Sequence, residues 1–218
     1  AKEYLTPVFT GVKNAKSVAV GRRRSAALIN DGSVLLWGMT STGIAAAAPY
    51  SPPVFGVVSD IAISEYDFYY VVNGELYKWS FAGSATKISS AAQGLVTSIA
   101  AGTDYVVALF SDGSIGTYGK NAYGQLGNGT TSQNETMTKV IGISNATSVA
   151  AGAYTTVVTL NSSTVLGFGR NQYGQLGTGD ISNKLSPVVI QNISNVSKIT
   201  VCDGYLLALT STGSIKVS

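Results

Sequence analysis

The residue types missing from this chain limit its chemistry as firmly as those present. None of the 218 residues is histidine, which removes the usual general base and the commonest transition-metal ligand. Ser-His-Asp and Cys-His catalysis go with it. The single cysteine, Cys202, allows no disulfide within the chain and reads as a small buried thiol. Carboxylates are dispersed: Asp31 and Asp112 stand in turn sequences and Asp180 at a loop end, so no metal-binding spacing forms. The expectation is a protein that is not an enzyme, with no catalytic residue, metal or cofactor.

Two groups of polar residues remain. Arg22, Arg23 and Arg24 form the one basic cluster, which reads as solvated surface or as a site for an acidic partner. The net charge is only +3 and charged residues make up 11% of the chain, against about 25% in an average soluble domain. So weak a basic field argues against nucleic acid as a partner. The second group is Asn-x-Ser/Thr, at Asn128, Asn134, Asn145, Asn161, Asn192 and Asn195. That is six of twelve asparagines, where 47 Ser and Thr in 218 residues would give roughly half as many by chance. In a eukaryote these are acceptors for N-linked glycans, and an extracellular or secreted protein follows, with a cytoplasmic or nuclear one as the alternative. No run approaches the roughly 18 apolar residues of a membrane span. Ala1 in place of methionine suits either a processed mature protein or a trimmed fragment.

The elements that position these residues repeat along the chain. GTYGKNAYGQLGNGTT, from Gly116 to Thr131, recurs as GFGRNQYGQLGTGD, from Gly167 to Asp180, with Gly102 falling on Gly152 fifty residues later. The same glycine spacing extends to copies anchored near residues 21, 63, 102, 152 and 202, the second of them degenerate at Ile63. A fixed period of this size means stacked supersecondary units. Each unit reads as short strands, for instance Ser98 to Ala101, Tyr105 to Phe110 and Ile115 to Tyr118 in the third copy, followed by a long loop and a fourth strand such as Lys139 to Ile143 or Val188 to Ile190. Asp-Gly or Asn-Gly between the second and third strands marks a hairpin. Copy four has NSST there, Asn161 to Thr164, without the glycine, which should loosen that turn. Four strands per unit predicts an all-β fold, a β-propeller of about five blades forming one domain over 1–218.

This architecture assigns places to side chains. Small residues at Ala100 to Gly102 and Ala150 to Gly152 suit inner strands crowded at the axis, while Trp37, Trp79, Tyr118 and Phe168 read as packing between blades. Residues just past each anchor, among them Arg22, Arg23, Glu65, Asp104, Tyr154 and Asp203, should ring the axis on one face, as a binding surface or as a solvated rim. A carboxylate pair across the axis, Asp104 with Asp203, is conceivable there. The last copy stops short of a fourth strand and Leu5 to Thr10 reads as one. The expectation is a last blade closed by N- and C-terminal strands, within one chain or by exchange between chains.

WG at Trp37 and Gly38, YGKNAYGQLGNG from Tyr118 to Gly129 and FGRNQYGQLGTG from Phe168 to Gly179 resemble the repeat of the regulator of chromosome condensation family of propellers. The resemblance implies the propeller fold and, among relatives, guanine nucleotide exchange on a small GTPase, chromatin binding or protein inhibition. The chain departs from the family by having five units rather than the usual seven. It also lacks the usual histidine three residues past the inner glycine, and GQLG is missing from the first two loops. The expected partners are a protein or a second copy of the chain. The sequence reading puts an extracellular structural or adhesive module first and a regulatory binding protein of the family type second.

Overall fold

Each repeat folds as an antiparallel meander because its apolar runs are short, rich in β-branched and aromatic residues, and divided by tight turns. The computed structural model describes residues 11–39, 49–89 and 91–218. Blade 1 holds β1 (Ala15–Val20), β2 (Arg24–Ile29) and β3 (Val34–Gly38), and blade 2 holds β4 (Val58–Ile63), β5 (Phe68–Val72), β6 (Glu75–Trp79) and β7 (Thr86–Lys87). Blade 3 comprises β8 (Val96–Ala101), β9 (Tyr105–Phe110), β10 (Ile115–Gly119) and β11 (Asn134–Lys139). Blade 4 comprises β12 (Ala146–Ala151), β13 (Thr155–Leu160), β14 (Val165–Gly169) and β15 (Lys184–Val189). Blade 5 comprises β16 (Val196–Val201), β17 (Leu206–Thr210) and β18 (Ile215–Val217). The result is a five-bladed β-propeller of antiparallel sheets, as the repeat predicted. Blade 1 adds an isolated bridge between Leu36 and Tyr50.

The core lies between blades. The period-2 alternation of each second strand sends one side chain to the preceding blade and the next to the following one. In β13, Val158 joins Val107, Leu109 and Phe168 between blades 3 and 4, whereas Val157 joins Val201 and Leu206 between blades 4 and 5. Similar clusters join blade 1 to blade 2 and blade 2 to blade 3. Small residues at the axis have the expected cause: a Cβ on Gly102 would lie 2.5 Å from the carbonyl of Gly152, and one on Gly152 would lie 2.6 Å from that of Cys202. Of the aromatic stripe, Phe168 is fully buried and Trp79 nearly so, while Tyr118 and Trp37 are half-buried.

Several expectations are corrected. The amide of each anchor donates to a carbonyl three residues on: Gly21 to Arg24, Gly102 to Tyr105, Gly152 to Thr155, Cys202 to Tyr205. In the second copy it is Ser64 that donates to Asp67, so Ser64 rather than Ile63 is the anchor. The Asn73–Gly74 hairpin there is one residue shorter than the others, which shifts the count. The fourth strands begin earlier than expected, at Asn134 and Lys184, and end at Lys139 and Val189, just before Val140 and Ile190, whose side chains enter the core. Cys202 is exposed, not buried. Its copies Gly102 and Gly152 abut the next anchor, but no described residue occupies that place beside Cys202. The expected strand Leu5 to Thr10 lies outside the described residues.

Candidate interaction face

At one end of the axis the anchors converge on a channel of about 360 Å³, lined by Arg22, Glu65, Thr103, Ala153, Cys202 and Asp203 among others. Backbone hydrogen bonds step around it, from the Glu65 amide to the Thr103 carbonyl (3.1 Å) and from the Thr103 amide to the Ala153 carbonyl (3.0 Å). Of the positions chosen from the sequence, Arg22, Glu65 and Asp203 line this channel, whereas Asp104 lines a separate cleft and Tyr154 packs against Tyr123. Arg22 is ion-paired with Glu65 of the next blade. Arg23 is exposed beside the Met39 sulfur. Arg24 is not solvated surface: its Nε donates to the Met39 carbonyl at 2.6 Å and its guanidinium lies 3.6 Å from the centre of the Phe81 ring on blade 2.

Asp104 and Asp203 do not form a pair. Asp203 accepts from Arg170 at 2.9 Å, while Asp104 lines a polar cleft of about 180 Å³ between blades 2 and 3 with Asp67, Lys78, Lys120 and Glu135. Burial, then the charges of Glu65 and Asp67, raise the Asp104 carboxyl above its ordinary range. Among the described residues no group of three His, Cys, Asp or Glu side chains could hold a metal ion.

The densest constellation is one the sequence reading left out. Arg170, directly before Asn171, donates from Nε to the Gln172 side chain at 3.0 Å, from one terminal nitrogen to Asp203 and from the other to the Tyr173 hydroxyl at 3.3 Å. Its guanidinium stands 5.0 Å from the ring centre of Tyr173, 5.4 Å from Tyr123 and 6.0 Å from Tyr154. The Tyr123 and Tyr154 rings are themselves 4.9 Å apart. A planar cation held by a carboxylate and flanked by three tyrosines is a rigid amphipathic surface. Tyrosine and arginine of this kind are enriched where protein partners bind most strongly. The available sequence signal was the basic residue before each loop asparagine, Lys120 in copy three and Arg170 in copy four.

The long loops hold this face up. Asn121 is buried, accepts from the Leu126 amide at 2.9 Å and donates to Asn128 and to the carbonyls of Thr130 and Ser132. Asn171 repeats the pattern with Leu176, Asp180 and Ser182. Gln125 and Gln175 are buried, and their loops reach over the following blade, the Gln125 carbonyl accepting from Thr156 and the Gln175 side chain donating to the Asp203 carbonyl. The sequon asparagines have work in the backbone. Asn128 accepts from the Thr130 amide and hydroxyl, Asn134 accepts from Asn128, and Asn145 donates to Asn161. Asn192 and Asn195 adopt left-handed φ of 59° and 54°, a conformation asparagine tolerates.

Comparison with known proteins agrees with this geometry. A model of the regulator of chromosome condensation (RCC1) repeat matches residues 112–159 and 162–209, and a second model of the same repeat matches 146–175. Human WBSCR16 superposes with a TM-score of 0.80 at 17% identity over 93% of this chain and 62% of its own. Yeast RCC1 (Prp20), solved bound to Kap60, gives 0.79 at 17% identity over 93% and 55%. Prp20p of Saccharomyces cerevisiae, whose structure was described with its binding to Gsp1p and histones, gives 0.78 at 17% identity over 93% and 57%. The chain thus spans between 55% and 62% of the length of these solved chains. With the matched repeats, the axial glycines and the superposition in agreement, residues 112–209 carry repeats of the RCC1 family within a β-propeller fold.

Proposed function

We propose that this propeller is a non-enzymatic regulatory binding protein whose partner is another protein, met by the axial face around Arg170. The observation that carries the reading is the Arg170 cluster: a carboxylate and three tyrosines, of which Tyr173 is exposed, surround one guanidinium. Neighbours of the same fold support it, since yeast RCC1 (Prp20) was solved with Kap60 and Prp20p is described as binding Gsp1p and histones. A cytoplasmic or nuclear setting goes with this reading. The extracellular adhesive module has weaker support, because the asparagines that suggested it serve turns and loop hydrogen bonds.

Affinity capture from an extract of the source cells, identified by mass spectrometry, tests the proposal with wild type beside Arg170→Ala and Tyr154→Ala. Partners captured by wild type should fall about tenfold or more with either variant, the range expected for residues at the centre of an interface. Equal capture by variants that melt as wild type does would refute the assignment of this face.

A further inference from the structure

The boundary between blades 2 and 3 lacks a part that the boundary between blades 3 and 4 has. The loop after β10 runs over 120–133 and crosses onto blade 4, where Tyr123 lies 4.9 Å from Tyr154 and 5.4 Å from Arg170. It lies so close that a Cβ on Gly169 would be 3.1 Å from the Cα of Gln125. The loop after β6 runs only over 80–85 and carries no GQLG. The three atoms nearest a Cβ on Gly119, the counterpart of Gly169, all belong to blade 3 itself. Asp104 and Lys120 stand where Tyr154 and Arg170 stand fifty residues later. Without a loop above them they line an open slot of about 180 Å³, together with Asp67, Lys78, Tyr118 and Glu135. Both walls are interior to the row, since blade 2 packs on blade 1 and blade 3 on blade 4.

The charged groups of the slot are unevenly partnered. Asp67 accepts from Ser80 and Tyr69, Glu135 accepts from Gln133, and the Lys78 ammonium lies 5.3 Å from the centre of the Tyr118 ring. The half-buried Asp104 carboxylate has no hydrogen bond or ion pair among the described residues. The charges of Glu65 and Asp67 oppose its ionisation, and Lys120 offsets them in part. We infer that this slot receives an arginine side chain presented on a turn of a protein partner. The turn takes the place that the chain's own loop takes one blade further on, and the guanidinium supplies the counter-charge that Asp104 lacks. Arginine suits the place better than lysine, because its flat fork of donors can serve Asp104 and a neighbouring carboxylate at once and sheds its hydration more readily. The inference rests on the reading of this face as one that meets a protein, and it adds a second contact of defined chemistry to the Arg170 cluster.

Titration of acetyl-Gly-Arg-Gly-amide into isotope-labelled residues 1–218, followed by backbone amide shifts in NMR, tests this with no partner present. Shifts should concentrate at Asp67, Asp104, Tyr118, Lys120 and Glu135 and saturate with a dissociation constant of about 1 mM, the scale of a single charge-assisted contact. A peptide with citrulline in place of arginine keeps the shape and loses the charge, and should bind about tenfold more weakly. Asp104→Asn should weaken the arginine peptide by a similar factor. Should that variant melt early, Glu135→Gln gives the same test at an exposed position on the same wall. Equal binding of the citrulline peptide, undiminished binding by the variants, or shifts scattered over the surface would overturn the inference. Capture with Arg170→Ala is read separately. Peptide binding without loss of capture counts against the Arg170 face alone, and loss of capture without peptide binding counts against the slot alone.

Discussion

Ser163 occupies a backbone position that the other repeats give to glycine. Its φ of 64° matches Gly32, Gly113 and Gly213 at 84°, 77° and 83°, a region where a Cβ costs roughly 1 kcal/mol. The loss of glycine from NSST suggested a loosened turn. Instead the turn is kept, with the Ser163 amide donating to Leu160 at 3.0 Å and the Leu160 amide to Thr164 at 2.8 Å, and the cost is carried as strain. Ser163→Gly should therefore stabilise the protein by about 0.5–1 kcal/mol and raise the melting temperature in calorimetry by about 1–3 °C. An unchanged or lower melting temperature would show that the serine side chain repays its strain. Residue-scale reading was sound where the backbone dictates the choice, as at turn glycines. It failed where a neighbour in space decides. Arg24 looked like one of three surface arginines and is fixed by Phe81, 57 positions along the chain.

The loops that follow β10 and β14 are each organised by one buried asparagine side chain. Asn121 makes four hydrogen bonds that close the loop from Leu126 to Ser132 and aim Tyr123 at Tyr154. Asn121→Ala leaves the Leu126 amide buried without its acceptor, so a loss of about 2–3 kcal/mol is expected by denaturant unfolding. Asn128→Ala, in the exposed part of the same network, should cost about 1 kcal/mol or less. Equal losses would mean that the loop is held by its ends and not by its centre. The sequence places Asn121 and Asn171 at the same point of two copies, fifty residues apart. It misplaced the fourth strand because Thr138 and Lys139 pair with β10 while Val140 and Ile143 turn into the core, and the apolar run alone does not separate edge from interior.

At the scale of the molecule the blades touch their neighbours in sequence, so stability is distributed along a row. Blades 3 and 4 have a packed blade on each side, whereas among the described residues β17 alternates buried with exposed side chains and β18 is exposed throughout. Native-state hydrogen exchange should find the amides of β9 and β13 protected nearly to the global stability and those of β17 and β18 exchanging at least tenfold faster. Uniform protection in dilute protein would mean that blade 5 is covered in solution. The sequence by itself determined the blade, since a period of fifty residues with hairpin turns and small inner strands admits few other folds. It also determined the absence of histidine chemistry, which follows from composition alone. The partners of each polar side chain were settled only in three dimensions. Arg170 meets Tyr123 and Tyr154 from the preceding loop and the head of its own blade, Asp203 is claimed by that arginine, and Cys202 is exposed because no described blade follows it. A repeat fixes what each unit is, because its local spacing carries the turns and the pleat. What lies across the gap between units is fixed by packing, which no spacing within a unit records.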